Sequence, residues 1–278
     1  MTSFFEMIAP VLNAEPAFAA ALGKLAGGDD VTLAAPGLIR PVLTASVAEG
    51  RERPVLVVVP GADAAERFAR QLGTYMDHER VLLFAERSDA PWDRTAPDLE
   101  AVGARARVLH SLDKNRPVVV VASGRSLLRA LPPQGSHVYE PLSLAVGATL
   151  DLADTAERLA RMGYERVDTA EERGQFAVRG GILDVFGSDA PYPVRAELFG
   201  DEIETLRRYL PSTQQHIGDS TPVEIYPCRE VVAGPRAAQN ARRALGQAAR
   251  DDEELARDLE LIDQGVAFNG IERYLPHF

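Results

Sequence analysis

The chain has 278 residues, 46% hydrophobic and 26% charged, which suits about two soluble domains with buried cores. Thirty basic against 41 acidic residues leave a net charge of −11, a poor basis for autonomous nucleic-acid binding, although local basic patches stay open. The single cysteine, Cys228, excludes an internal disulfide and cysteine-rich metal sites, and apolar runs such as Val55–Val59 are too short to span a bilayer.

Residues Met1–Leu12 lack the basic start and long apolar run of a signal peptide, so a cytoplasmic protein is expected. Over 1–140, short apolar runs alternate with helical patterns. Val31–Ala35, Val55–Val59, Val81–Phe84 and Val118–Ser123 read as buried strands. Pro41–Ala48, Ala62–Met76 and Asp98–Leu112 read as helices, with Asp63 and Ser123 as candidate N-caps. Strands alternating with crossover helices predict a parallel α/β sheet.

The middle third changes period. Thr155–Met162 reads as a helix, followed by strand-like runs at Phe176–Val178, Gly181–Phe186, Val194–Phe199 and Glu202–Tyr209. Arg195 and Glu197 alternate with Val194, Ala196 and Leu198, which predicts a sheet with one wet face. Gly200-Asp201 reads as a tight hairpin turn. A helical pattern then runs from Pro235 to about Ile262, with Asp251–Glu254 as a solvated acidic face. The stretch Gly265–Phe278 ends without a closing strand, so a longer protein is expected to continue beyond it.

No catalytic set emerges. The loop Pro36-Gly-Leu-Ile-Arg-Pro41 follows the first expected strand, where a phosphate cradle would sit. It has one glycine, no Gly-Lys-Ser/Thr and a proline that removes a donor. Phosphoryl transfer would lack its electrostatic parts. The five histidines show no ligand spacing, so no metal is expected. Ser123 lacks the Gly-x-Ser-x-Gly context of a nucleophile and reads as a cap, and Asp184 and Asp201 read as structural.

The richest stretch is Tyr164–Phe186. Its glycines at 174, 180 and 181 punctuate strands, and Arg166, Arg173, Arg179 and Arg195 are set among strands. Two readings stand side by side. These arginines form surface ion pairs with Glu165, Glu171, Glu172 and Glu197, each worth little, or they form a charged recognition face.

The pattern Tyr-x-Arg-x-Asp, then Arg-Gly-x-Phe-x-Val-Arg-Gly-x-x-x-Asp-x-Phe, then Arg-x-Glu-Leu-Phe-x-Asp-Glu-Ile resembles the UvrB-homologous module. That module occurs in UvrB and at the N-terminus of the bacterial transcription-repair coupling factors. Pro60–Arg67, the Ala90-Pro-Trp-Asp-Arg94 stretch, the strand ending at Ser123, and Gly270–Tyr274 extend the resemblance along the chain. Loop 36–41 departs from UvrB. So do the roughly thirteen residues between Phe84 and Asp98, too few for UvrB's aromatic hairpin. Both departures favour the coupling-factor branch.

The resemblance implies a degenerate helicase-like (RecA-like) α/β domain beginning at 1–140, an inserted small α+β UvrA-binding domain at 141–226, and a helical return to the first domain at 227–278. It implies a non-catalytic platform that recruits UvrA in transcription-coupled nucleotide excision repair. Arg166 and Arg179 would carry the contact, with Phe186 and Arg195 as secondary candidates. At position 177 this chain has Ala where UvrB carries a further arginine. The resemblance places ATP, Mg²⁺, double-stranded DNA, RNA polymerase and a C-terminal domain that masks the UvrA surface in the longer protein. No cofactor and no membrane partner are expected for residues 1–278. Nucleotide binding by the α/β domain and direct DNA binding are the competing readings.

Overall fold

The computed structural model describes residues 4–88, 94–132, 137–220, 222–231 and 233–278; residues 90–93 of the Ala-Pro-Trp-Asp-Arg stretch lie outside them. In chain order the elements are helices α1 (Phe4–Ala14), α2 (Pro16–Ala26) and α3 (Arg40–Ala48), strand β1 (Val55–Val59), α4 (Ala62–Leu72), β2 (Val81–Phe84), α5 (Leu99–Asp113) and β3 (Val119–Ser123). They continue with β4 (Leu142–Leu144), α6 (Leu152–Arg161), β5 (Glu165–Arg166), β6 (Gln175–Arg179), β7 (Ile182–Val185), β8 (Val194–Phe199) and β9 (Glu202–Tyr209). The last are β10 (His216–Asp219), β11 (Val223–Ile225), α7 (Pro235–Leu245) and α8 (Glu253–Asp263). The protein is mixed α/β. Among the described residues no helix is long and apolar enough to cross a membrane. Two compact units form, one from 1–86 with 111–128 and the other from 87–110 with 129–278.

The first unit is built on a three-stranded parallel sheet in the order β1-β3-β2. One face of that sheet buries Val119 and Val121 against Val42, Ala45 and Ala48 of α3 and Ala65 and Leu72 of α4. The strand expected at Val31–Ala35 is absent from the sheet. Residues 29–36 have no regular structure, and Thr32, Leu33 and Ala34 are exposed. A short apolar run becomes a strand only where a neighbour completes its ladder, and this one pairs with no described strand. Helix α4 stops at Leu72 rather than Met76, with Gly73 as its C-cap. Its N-cap is Gly61, and Asp63 lies inside the first turn, where a carboxylate favours the positive helix end. Ser123 does cap, but it caps the 3₁₀ turn Arg125–Leu128. Its Oγ accepts from Ser126 N at 3.0 Å and donates to Glu86 Oε2 at 2.9 Å.

The second unit holds a six-stranded sheet in the order β10-β9-β8-β7-β6-β5, antiparallel except for the β5–β6 pair, and a β4–β11 ribbon. Phe176, Leu183, Val185, Val194, Ala196, Ile203 and Leu206 bury one sheet face, joined by Leu159 of α6. Asp151 fixes the start of α6 by accepting from Ala153 N and Asp154 N at 2.8 and 3.0 Å. Tyr164 ties the layers together: its hydroxyl donates to Tyr226 O at 2.6 Å and accepts from Ser188 N at 3.0 Å. Burial holds that phenol's pKa well above 10.

The pattern from Pro235 to Ile262 is two helices rather than one. Gly246 caps α7, and Asp252 opens α8 by accepting from Glu254 N and Leu255 N, both at 3.0 Å. Of the acidic run 251–254, Asp252 is therefore the cap and Glu253 and Glu254 the first turn of α8, where negative charge is favoured, and the run is not a mid-helix face. Three charged groups are folded into this unit near its helices. Glu230 accepts from Arg105 Nε at 2.6 Å and from Arg87 Nη1 at 3.0 Å, with all three side chains 2% exposed or less.

Candidate partner-binding site

Strand register separates the two faces of the six-stranded sheet. Leu183 and Val185 of β7 enter the core, so Ile182 and Asp184 point to the other face. Across the strands Asp184 lies beside Ala177 of β6 and Arg195 of β8, and Arg195 lies beside Arg207 of β9. One step along, Arg179, Ile182, Glu197 and Thr205 form a second row. The alternation of β8 read from sequence thus generates this polar face.

Its centre is a carboxylate shared by two arginines. Asp184 is fully buried. Its Oδ1 accepts from Arg195 Nε at 2.6 Å, and its Oδ2 accepts from Arg195 Nη2 at 2.8 Å and from Arg179 Nη2 at 2.7 Å. Arg195 is held on every side. Its Nη2 also donates to Gln214 Oε1 at 2.9 Å, and its guanidinium lies 4.8 Å from the Tyr209 ring centroid. The hydrogen bonds to Asp184 raise its pKa further. Arg195 is 21% exposed, whereas Arg179, with one bond to Asp184, is 49% exposed. Two cations on one anion leave a local charge of +1, presented by the more exposed arginine.

The four residues singled out in the sequence therefore divide. Arg179 and Arg195 meet on Asp184, whose structural part is to hold both side chains. Arg166 is exposed on the edge strand β5 and makes no ion pair with the described residues. Its register partner is Phe176, a core-facing residue, so its parity is opposite to that of Arg179. Phe186 is 8% exposed and lies beneath Arg173, whose guanidinium is 5.5 Å from its ring centroid. Arg173 is held by the Ala190 carbonyl and by Glu100 at 3.0 Å. Of the carboxylates expected to pair with these arginines, only Glu197 takes part in this face, at 3.7 Å from Arg207 and 2.9 Å from Thr205 Oγ1. Ala177 is 1% exposed beside Asp184, so this position is small and buried.

Residues 142–230 contain this sheet and this arginine pair, and they match the UvrB interaction domain family. This segment belongs to that family. The UvrB interaction domain thus runs from β4 through β11 to Glu230. Over nearly its whole length the chain is similar to transcription-repair-coupling factors. It is 35% identical to that of Mycobacterium bovis over 92% of this chain and 22% of the relative, and 31% identical to that of Myxococcus xanthus over 94% and 23%. It is also 30% identical to the UvrABC system protein B of Streptomyces avermitilis, over 99% of this chain and 43% of that protein. The chain therefore spans less than a quarter of the coupling factors it matches and less than half of the UvrB protein.

Proposed function

We propose that the UvrB interaction domain of this chain recruits UvrA, with Arg179 as the principal charged contact and Arg195 and Asp184 as the frame that orients it. The observation that carries the reading is the +1 charge of two arginines on one buried carboxylate, inside the segment that matches the UvrB interaction domain. Arg179 can exchange its single bond to Asp184 for a partner's carboxylate without leaving Asp184 unneutralised, because Arg195 keeps both of its bonds. Such an exchange retains a charge-assisted hydrogen bond on each side. Arg166 contributes from the sheet edge, and Phe186 acts beneath Arg173.

On this reading the segment is a repair platform and not an enzyme. Supporting it, Gly37–Ile39 forms a 3₁₀ turn leading into α3, and Arg40 Nε donates to the Ala35 carbonyl at 3.2 Å. Loop 36–41 offers neither a lysine nor a hydroxyl, which does not fit a nucleoside triphosphate with Mg²⁺. We further read the three-stranded parallel sheet as the remnant of a RecA-like helicase domain, interrupted by an inserted domain at 141–226 and resumed at 227–278. RNA polymerase, double-stranded DNA, ATP-driven translocation and a C-terminal domain that masks the UvrA surface belong to the longer cytoplasmic protein. The test is calorimetric titration of the chain with purified UvrA, beside an Arg166→Ala/Arg179→Ala variant with an unchanged melting temperature. Saturable binding lost in the variant is the expected result. No binding by the folded wild-type chain would sink the reading.

A further inference from the structure

The β8–β9 hairpin ends in Phe199-Gly200-Asp201, and Phe199 is 82% exposed. Exposed apolar side chains are common when scattered singly, so exposure alone decides nothing. The setting of this one does more.

The hairpin tip is fixed by backbone bonds on both flanks. On one side Leu198 N donates to Gly181 O at 2.8 Å, and on the other Leu150 N donates to Asp201 O at 2.7 Å. Gly200 takes a φ of +63°, as the two-residue turn requires. The adjacent β6–β7 turn is Gly180-Gly181, so it has no side chain with which to cover the ring. Gly181 could not gain one freely, since a Cβ there would lie 3.0 Å from the Leu198 carbonyl oxygen. An aromatic ring on a fixed backbone is thus presented bare, so binding would order only its two side-chain torsions.

Register puts Phe199 on the face that carries Arg179. Glu197 shares a row with Ile182 and Arg179, and Phe199 lies two residues further along the same side of β8. From strand spacing and rise, the Cα atoms of Phe199 and Arg179 lie about 12 Å apart, within one interface patch. We infer that Phe199 is the apolar anchor of the same interface. It would enter a pocket on the partner that lies beside the acidic group received by Arg179. The occupant is the protein partner of the arginine face, favoured by continuity with that face and by the +1 charge of its Arg179–Asp184–Arg195 cluster. The inference rests on the reading given under Proposed function.

The experiment titrates purified UvrA into the wild-type chain, Phe199→Ala, Arg179→Ala and Leu128→Ala. Leu128 is equally exposed, at 82%, on the 3₁₀ turn of the other unit. Phe199→Ala should weaken binding at least tenfold with an unchanged melting temperature, while Leu128→Ala binds as wild type. If Phe199→Ala binds normally while Arg179→Ala is weakened, the anchor is wrong and the recruitment reading survives. If the wild-type chain does not bind, both fall together. A lowered melting temperature in Phe199→Ala, an equal loss in Leu128→Ala, or self-association lost in Phe199→Ala with partner affinity intact would each overturn the anchor.

Discussion

Removing members of the Asp184 cluster one at a time should give three different stability losses, and their order tests how the site is built. Arg195→Ala strips two of the three bonds from a fully buried carboxylate and leaves it to Arg179 alone. Breaking a buried pair by removing one partner costs about 3–5 kcal/mol, and the lower part of that range applies because Arg179 still neutralises the charge. Asp184→Ala instead frees two arginines that are 21% and 49% exposed, so water recovers part of their solvation, and Arg195 keeps Gln214 and the Tyr209 ring. About 2 kcal/mol is expected. Arg179→Ala removes a single bond from a half-exposed side chain and should cost under about 1 kcal/mol.

The three losses can be read from thermal melts followed by circular dichroism. For a unit of this size each kcal/mol moves the melting temperature by roughly 2–4 °C. Arg195→Ala should therefore fall by about 6–12 °C, Asp184→Ala by about 4–8 °C, and Arg179→Ala by less than about 4 °C. A double-mutant cycle on Asp184 and Arg195 should return a coupling energy of about 2 kcal/mol. Equal losses for Arg179→Ala and Arg195→Ala would refute the argument that Arg195 frames the site while Arg179 is released from it. So would an Asp184→Ala variant as stable as wild type.

Cys228 is 2% exposed, and burial pushes its thiol up to about 12. It should resist iodoacetamide at pH 8 in the folded protein and react at the unfolded-chain rate in denaturant, as mass spectrometry would show. Gly174 has a φ of +82°, and a Cβ there would lie 2.6 Å from Leu99 Cδ1. Gly174→Ala should destabilise by about 1–3 kcal/mol in urea titrations, and a neutral result would contradict the packing around Leu99 and Cys228. The phenols of Tyr164, Tyr209, Tyr226 and Tyr274 are all raised, with burial as the first cause, and Tyr274 reaches about 12. Their folded pKa values exceed the unfolded value near 10, so the folded state holds these protons longer. Stability is intact below about pH 10 and is lost as pH rises toward the folded values. Tyrosinate absorbance should lag at first and then rise together with unfolding; free titration near pH 10 in the folded state would count against it.

What the sequence made legible was local. Strand β8 could be read because Val194 and Ala196 alternate with Arg195 and Glu197, a period that only a half-buried strand satisfies. The Gly200-Asp201 turn could be read for the same reason. Val31–Ala35 could not, because five apolar or small residues look alike whether or not a neighbouring strand offers its ladder. The Asp-Asp-Glu-Glu run at 251–254 held a capping signal that the longer helical period obscured; an Asp followed by an acidic first turn is an N-terminal pattern. Helices α1 and α2 went unread. The site itself turns on Asp184, whose partners lie five and eleven residues away across hairpins. No local period brings those three together; register does. Phe186 shows the converse, since membership of a motif does not separate a half-exposed residue such as Arg179 from one that is 8% exposed beneath Arg173.

The mixed signs on this sheet face bear on the kind of partner it selects. A nucleic-acid backbone rewards a row of cations, each releasing a counterion. Here Arg195 is neutralised by Asp184, Arg207 lies 3.7 Å from Glu197, and Glu202 stands on the same face as Arg179 and Phe199. A phosphate chain drawn to Arg179 would meet those carboxylates within a strand spacing or two and be repelled. A folded protein surface can instead place an anion opposite Arg179, a donor opposite Glu197 and an apolar pocket opposite Phe199. The carboxylates then become part of the selection, since a merely acidic surface would leave them opposed by like charge. In a chain of net charge −11, these mixed signs are expected to disfavour an acidic polymer, and the same groups would fix the orientation of a protein partner.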